Sequence, residues 1–135
     1  MRILTLNVDA GSLEPGDIEG SIQRLAASPD RLTAARGGML LALVRLLQTD
    51  GPHPEAWGYV LNRELTLMPA NPANRVSVRV WTDWRDYGPV RDGLPVLHYR
   101  MQIQRRSSQR TVDARADSPE EAKRIIYQAF GYLRE

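Results

Sequence analysis

The sequence contains no cysteine and only two histidines. The missing cysteine excludes disulfide bonds, thiol catalysis and cysteine-based metal sites, and it suits a reducing compartment. The two histidines, His53 and His98, lie far apart in the chain, and neither has a second ligand at a metal-binding spacing. We therefore expect no bound metal and no cofactor.

Long apolar segments and catalytic motifs are missing as well. The longest apolar run, Met39–Val44, is far shorter than the roughly 18 residues that cross a bilayer. Met1–Ala10 lacks the order of charged and apolar regions of a signal peptide, so we expect a cytoplasmic protein. Gly37 and Gly38 lie inside a helical pattern and form no phosphate loop, and no nucleophile elbow occurs. An enzyme is therefore the least favoured class of function.

Lysine is almost absent, and the positive charge is uneven. Lys123 is the single lysine among 18 basic residues, and the formal net charge is +2. Five arginines but only one acid, Asp113, occur between Val96 and Ala116. A GC-rich genome explains an arginine bias without function; the alternative is the forked hydrogen bonding of arginine to phosphate and base edges. The uneven charge indicates an anionic partner.

The bulk properties fit one globular domain. The chain has 135 residues, of which 42% are hydrophobic and 25% charged. No segment resembles a flexible interdomain linker, so we assign residues 1–135 to a single domain. The element pattern predicts an α+β fold, in which an antiparallel sheet of three to five strands carries two or three helices packed on one face.

The N-terminal half predicts one strand followed by two helices. Alternating apolar residues in Arg2–Val8 indicate the strand, and Asp17 can cap a short helix. Ser28 and Pro29 predict the start of a longer helix that runs to about Gln48. Its two central glycines each cost about 1 kcal/mol relative to alanine, so they indicate a kink or a close helix contact.

The middle of the chain is ambiguous. Within Pro52–Asn74, two segments, Trp57–Leu61 and Glu64–Met68, can form short strands. Val76–Trp81 alternates valine with serine, arginine and tryptophan, the pattern of a half-buried strand. Asp86–Pro95 contains two turn signals and predicts a turn region.

The C-terminal segment predicts a strand-hairpin-helix unit. Val96–Arg105 and Arg110–Ala116 alternate as the two strands of a hairpin, and a helix begins at Ser118. Ser118 and Glu121 form a capping box around Pro119, the first helical position. The helix stripe that should cover the sheet is Ala122, Ile125, Ile126, Ala129, Phe130 and Leu133.

The register of this hairpin follows from its apolar residues, which must share one face. The predicted opposing pairs are Ile103 with Val112, Met101 with Ala114, and Tyr99 with Ala116. The same register sets Arg100 opposite Arg115, and like charges there are destabilising. Either an anion lies between the two arginines, or they extend into water or pair with Asp113 and Asp117. It also sets His98 opposite Asp117, which predicts a surface contact between them.

The sheet face turned away from the helix predicts a binding surface. Arginine and glutamine can read guanine and adenine edges in a DNA groove, and arginines at the hairpin tip can hold phosphates. We therefore hypothesise a small nucleic-acid-binding protein, such as one from a phage or mobile element. The tryptophan of this face can stack on a base or pack beneath a loop. The predicted nucleic-acid-binding residues are Arg79, Trp81, His98, Arg100, Gln102, Gln104, Arg105, Arg106, Arg110 and Arg115.

The order of helix, three antiparallel strands and capped helix is similar to that of double-stranded-RNA-binding domains. Arg115–Ala122 resembles their third strand and the start of their second helix. The hairpin followed by a helix also resembles the three-stranded DNA-binding fold of integrase arm domains. Both resemblances cover at most residues 76–134 and imply a three-stranded sheet. Glu120 and Glu121 stand where the RNA-binding family has a basic cluster.

A second hypothesis is a non-catalytic protein–protein module, meaning an adaptor, an inhibitor or a homo-oligomer. Its contact residues would be the aromatic side chains of Trp57, Tyr59, Trp81 and Trp84, since aromatics are enriched at interfaces. Salt dependence separates the two hypotheses, because binding through phosphate contacts weakens steeply as salt rises.

Overall fold

The computed structural model describes residues 1–7, 12–14, 18–84, 90–91, 93–105 and 110–132. These ranges contain nine strands and three helices. The strands are β1 (Arg2–Asn7), β2 (Ser12–Glu14), β3 (Glu55–Leu61), β4 (Glu64–Pro69), β5 (Val76–Trp84), β6 (Val90–Arg91), β7 (Leu94–Pro95), β8 (Leu97–Arg105) and β9 (Arg110–Ala116). The helices are α1 (Ile18–Ala26), α2 (Arg31–Gln48) and α3 (Pro119–Phe130).

The main sheet has seven strands in the order β2-β1-β3-β4-β5-β8-β9. Six of them are six to nine residues long, and β2 is a three-residue edge strand. The α+β class is confirmed, but the prediction of three to five antiparallel strands is wrong. β1 and β3 run parallel, whereas the other neighbouring pairs run antiparallel. A parallel pair needs a long crossover connection, and α1 and α2 supply it.

The ambiguous middle segment forms two strands of this sheet. β3 and β4 pair antiparallel, ending with Leu61 opposite Glu64. Asn62 and Arg63, which join them, have positive φ angles of 52° and 64°. A tight type I′ hairpin turn requires positive φ at both central residues. The turn therefore helps to fix which residues of β3 and β4 are opposite each other.

Part of the predicted turn region Asp86–Pro95 forms a separate two-stranded sheet. In it Val90 lies opposite Pro95 and Arg91 opposite Leu94. The rest of that region lies outside the described residues, apart from Gly93. The predicted strand end at residue 8 and the predicted helix cap at residue 17 also lie outside them.

α2 begins later than the sequence predicts. Asp30, and not Ser28, is its N-cap, because the Asp30 carboxylate accepts a backbone N–H of the first helical turn at 3.0 Å. Gly37 is buried against the end of α1, where a Cβ would lie 2.4 Å from the backbone nitrogen of Ala26. A Cβ on Gly38 would meet no atom within 4 Å. A close helix contact therefore explains the first glycine but not the second.

The C-terminal unit is confirmed. β8 and β9 pair in the predicted register along the whole of β9. The Ser118 hydroxyl caps α3 by accepting the backbone N–H of Glu121 at 3.1 Å, and Gly131 ends the helix with a left-handed φ of 81°. Leu133, the last residue of the predicted apolar stripe, lies outside the described residues.

All three helices pack on one face of the main sheet. Alternate strand residues, among them Ile3, Val78 and Met101, share one buried cluster with helix residues such as Leu40 and Ile126. Burial of this apolar surface is the main stabilising contribution to the fold. The other face of the sheet carries none of the described helices.

The resemblance to three-stranded nucleic-acid-binding folds ends at the C-terminal unit. β5, β8 and β9 do not form a separate sheet, because β4 and β3 continue it on the other side of β5. Among the described helices, none is both long enough and apolar enough to cross a membrane.

Candidate functional site

The helix-free side of the main sheet, called the open face below, collects most of the predicted site residues. Strand alternation and the pairing registers assign its members, since neighbouring residues of a strand point to opposite sides. The open face includes Glu55, Trp57, Tyr59, Glu64, Thr66, Met68, Ser77, Arg79, Trp81, Asp83, His98, Arg100, Gln102, Gln104, Thr111, Asp113 and Arg115. Arg79, Arg100 and Arg115 therefore share one surface.

Arg79 is already bound within the open face. Its Nη2 and Nε atoms donate to Glu64 Oε2 at 2.6 and 3.2 Å. Its Nη1 atom donates to Gln102 Oε1 at 3.1 Å. A nucleic-acid phosphate would have to compete with the Glu64 carboxylate for this guanidinium. Arg79 is therefore a weaker candidate than the sequence pattern indicates.

Arg100 and Arg115 lie opposite each other, as predicted, but differ in their partners. Arg115 donates from Nη2 to Asp117 Oδ1 at 3.2 Å. Arg100 is half-buried, with Trp81 as its partner position on the other neighbouring strand, and forms no ion pair with a described residue. Of the two predicted alternatives, pairing with a carboxylate is found for Arg115.

His98 is buried instead of exposed. Its exposed fraction is 6%, and its Nε2 atom has no hydrogen-bond partner within the described ranges. The predicted surface contact with Asp117 is not found among the described residues, where that carboxylate accepts from Arg115 instead. β8 is flanked by a strand on each side, so His98 has neighbours in both directions. Its ring is not accessible to a partner.

The arginines of the hairpin tip lie on the other side of the sheet. Arg105 is opposite Val76 on one neighbour and Arg110 on the other. Because Val76 belongs to the buried cluster, alternation places both arginines on the side that carries the helices. Both are exposed. Arg106 lies outside the described residues, so the predicted site residues that are described divide between two sides.

A cleft of about 510 Å³ lies at one end of the open face. Its volume falls within the ~300–1,000 Å³ of small-molecule pockets. The loop that connects β4 to β5 forms one wall. The side chains that the cleft exposes include Trp57, Met68, Ser77 and Gln104 from the sheet, and Asn71, Asn74 and Arg75 from the loop.

The loop of the cleft is held in place by its own asparagines. Asn71 Oδ1 accepts the backbone N–H of Ala73 at 3.0 Å, and the Asn71 carbonyl accepts that of Asn74 at 3.0 Å. Asn74 Nδ2 donates to the carbonyl oxygen of Phe130, at the end of α3, at 2.8 Å. Both asparagines therefore shape the cleft.

Three polar side chains of the cleft have no partner among the described residues. Arg75, Ser77 and Gln104 make no hydrogen bond or ion pair within the described part of the chain. Arg75 is the one cation among the described lining residues, and none of those residues is a carboxylate. The cleft therefore favours an anionic ligand that also offers hydrogen-bonding groups and a flat apolar surface for Trp57.

A second groove, of about 420 Å³, lies between α2 and α3 and differs in its charge. Lys123 Nζ and the Tyr127 hydroxyl each lie 2.6 Å from Asp50 Oδ2. The hydrogen bond from Lys123, followed by that from Tyr127, holds the pKa of the Asp50 carboxyl below its usual value. Burial, and then the bond to Asp50, raises the pKa of Tyr127. The Lys123 charge is thus neutralised, unlike that of Arg75.

The predicted contact aromatics divide between the two faces. Trp57, Tyr59 and Trp81 lie on the open face and are half-buried. Trp84 lies on the helix side, where the Arg36 guanidinium is 4.8 Å from its ring centroid. The described residues contain no cluster of three or more histidine, aspartate or glutamate side chains that could hold a metal ion.

The sequence pattern does not indicate the cleft. Residues 52–74 are ambiguous in sequence, so no pattern brings Trp57, Met68 and Arg75 together. One sequence signal does indicate a cleft residue: Arg75 continues the alternation of Ser77 and Arg79, which places it on the same side of the strand. The position of the loop that forms the cleft wall could not be predicted from sequence, because it depends on a contact with α3.

No family model matches the chain, and neither a curated protein nor a solved structure matches it. Its function is therefore inferred from the geometry of the site.

Proposed function

We propose that the protein binds nucleic acid through the open face, with the cleft as the centre of the interface. The observation that carries the proposal is the set of groups in the cleft: the Trp57 indole, the Arg75 guanidinium and the Gln104 amide, with no carboxylate among the described lining residues. Guanidinium groups bind phosphate, amides bind base edges, and aromatic rings stack on bases.

The distribution of charge along the open face favours the cleft end of the sheet as the place where nucleic acid binds. Away from the cleft, Arg115 pairs with Asp117, and Arg79 pairs with Glu64. At the cleft end, Arg75 has no carboxylate partner within the described ranges, and neither has Arg100 on the same face. Positive charge that is not neutralised attracts phosphates and releases their counterions.

Salt-dependent binding tests the proposal. We expect a fluorescein-labelled nucleic acid of mixed sequence to bind at low salt and to dissociate steeply as salt rises. The double variant Arg75→Ala/Arg100→Ala, which removes two cations of the open face, should lower affinity at least about tenfold. It should also reduce the salt slope by about two, since each phosphate contact contributes ~0.9 to that slope. Fluorescence anisotropy at several salt concentrations measures both effects.

A matched control carries the same loss of charge on the helices. Arg24 and Arg124 are exposed on α1 and α3, so Arg24→Ala/Arg124→Ala should stay within about twofold of the original affinity. Binding that is undetectable at low salt, or independent of salt, would contradict the proposal. Equal losses in the two double variants would remove the assignment to the open face.

Self-association through β9 is a second candidate function, and the edge position of that strand favours it. β9 ends the main sheet, its residues 110–113 are exposed, and Val112 is 55% exposed. Edge strands have unpaired backbone groups that can pair with another chain. In a two-fold antiparallel pair centred on Ala114, Asp113 of one copy would lie opposite Arg115 of the other. Opposite charges at such positions are stabilising.

Charge reversal tests this second candidate. Asp113→Arg should give a monomer, whereas Asp113→Arg combined with Arg115→Asp should restore the dimer, because each pair again joins opposite charges. Mass from light scattering over a range of protein concentrations measures the oligomeric state. A monomer of 15.3 kDa at every concentration would exclude the candidate.

A further inference from the structure

The width of the main sheet bears on which form of nucleic acid the open face can take. Adjacent strands lie about 4.8 Å apart, so the six longer strands measure about 24 Å across. The major groove of DNA is about 12 Å wide. Interior positions of the open face, such as Trp57 and Ser77, therefore cannot reach base edges inside a duplex. An unpaired strand exposes its bases, which can stack on aromatic side chains of a sheet face.

Trp57 is suited to stack on an unpaired base. Its strand, β3, is interior to the sheet, and its cross-strand neighbours are Leu4 and Met68. The indole is half-buried, so these neighbours hold it while part of it lines the cleft. Base stacking on an aromatic side chain changes affinity about 5- to 150-fold per base.

The polar groups of the cleft lie on one side of this indole and match the rest of a nucleotide. Ser77 and Gln104 are cross-strand partners, so a hydroxyl and an amide are adjacent in the cleft. Arg75 stands two positions before Ser77 and lines the same cleft. A hydroxyl and an amide can both donate to and accept from base edges, and a guanidinium binds phosphate oxygens in pairs.

We propose that the cleft is a subsite for one unpaired base and its neighbouring phosphate, which makes the protein a single-strand binder. The inference rests on the proposed function and adds the form of nucleic acid and the position of one base. The base stacks on Trp57, its edge meets Ser77 and Gln104, and the phosphate binds Arg75.

The experiment compares three probes by fluorescence anisotropy and competition. They are a labelled single-stranded DNA of about 12 nucleotides, the same sequence as a duplex, and AMP as a competitor; single-strand sites span ~4–16 nucleotides. We expect the single strand to bind at least about tenfold more tightly than the duplex and far more tightly than AMP. Trp57→Ala should lower single-strand affinity about tenfold and leave duplex affinity nearly unchanged. Arg75→Ala should lower single-strand affinity by about as much and duplex affinity by less, because its guanidinium can also meet a duplex phosphate.

Control variants distinguish loss of affinity through the subsite from loss of affinity through unfolding. Trp84→Ala removes an indole from the helix side and should leave single-strand affinity unchanged. In a Trp81→Phe/Trp84→Phe background, Trp57 is the remaining one of three tryptophans, and the strand should quench its fluorescence. This measurement, and Arg75→Ala at an exposed loop position, keep the test valid if Trp57→Ala fails to fold.

The outcomes distinguish the subsite from the proposed function. Equal affinity for strand and duplex, with no quenching of Trp57, would overturn the subsite and leave nucleic-acid binding in place. Affinity for AMP equal to that for the strand would overturn the assignment to a single strand. No salt-sensitive binding of any probe would overturn both.

Discussion

The two faces of the main sheet are built from the same strands but differ in what their side chains contact. On the covered face, Tyr99 is buried and its hydroxyl donates to the Met39 carbonyl of α2 at 2.6 Å. On the open face, Trp57 is only half-buried, and Arg75 has no partner among the described residues. The covered face therefore contributes more to stability, whereas exposed positions of the open face such as Arg75 can change with little cost to folding.

Gly37→Ala should have the largest effect, because it disturbs the layer that covers the sheet. The added Cβ would lie 2.4 Å from Ala26 N and 2.6 Å from the Leu25 carbonyl carbon, and backbone atoms cannot move aside easily. We expect a loss of roughly 1–3 kcal/mol in the free energy of unfolding. Gly38→Ala, the matched control, should gain up to about 1 kcal/mol. Denaturant unfolding that finds the two variants equal would contradict the helix contact.

Tyr99→Phe should have a smaller effect that depends on pH. Losing the hydrogen bond to Met39 should lower the free energy of unfolding by about 1 kcal/mol at pH 8. Burial, and then the charge of Glu120, raises the pKa of Tyr99 to about 12. Between pH 10 and 12 the unfolded chain loses this proton while the folded chain keeps it, so stability falls as pH rises.

The pH comparison isolates this one tyrosine. Denaturant unfolding at pH 8 and pH 11 should show a smaller alkaline loss for Tyr99→Phe than for the original protein. Other tyrosines contribute equally to both proteins and cancel in the difference. An equal loss of stability at pH 11 in both proteins would mean that burial on the covered face does not raise the pKa of Tyr99, and it would contradict the prediction.

Glu64→Gln should have the smallest effect, and it concerns binding. The substitution frees the Arg79 guanidinium on the open face, so affinity for nucleic acid should rise about twofold at low salt. Stability should change by less than about 1 kcal/mol, as is usual for an exposed ion pair. Glu19→Gln is the matched control, because Glu19 pairs with Arg45 on the helices. An equal gain of affinity in Glu19→Gln would mean that the change in net charge, and not the release of Arg79, causes the tighter binding.

Local elements of the fold could be predicted from sequence, whereas long-range order could not. The register of β8 and β9 and the cap of α3 depend on residues that are close in the chain, and both predictions are confirmed. The parallel pairing of β1 with β3 joins segments separated by two helices, and no local pattern indicates it. At the start of α2, Ser28 and Asp30 are both good caps, and only the bond made by Asp30 decides between them.

The sequence could predict which side chains share one face of the sheet, but not which of them are free to contact a ligand. Alternation along β5 and β8 correctly places Arg79 and Arg100 on one side. It cannot reveal that Glu64, from the segment left undecided, binds Arg79, or that His98 is buried. Whether a charged side chain is free depends on tertiary neighbours, which strand periodicity does not contain.

The hydrogen bond from Asn74 to Phe130 has a consequence for how ligand binding is detected. Asn74 lines the cleft on the open face, while Phe130 closes the last turn of the helix that lies on the opposite side. A ligand that fixes the loop also restrains the end of that helix. Slower amide hydrogen exchange near Gly131 would then report occupancy of the cleft from across the thickness of the sheet, without a label on either partner.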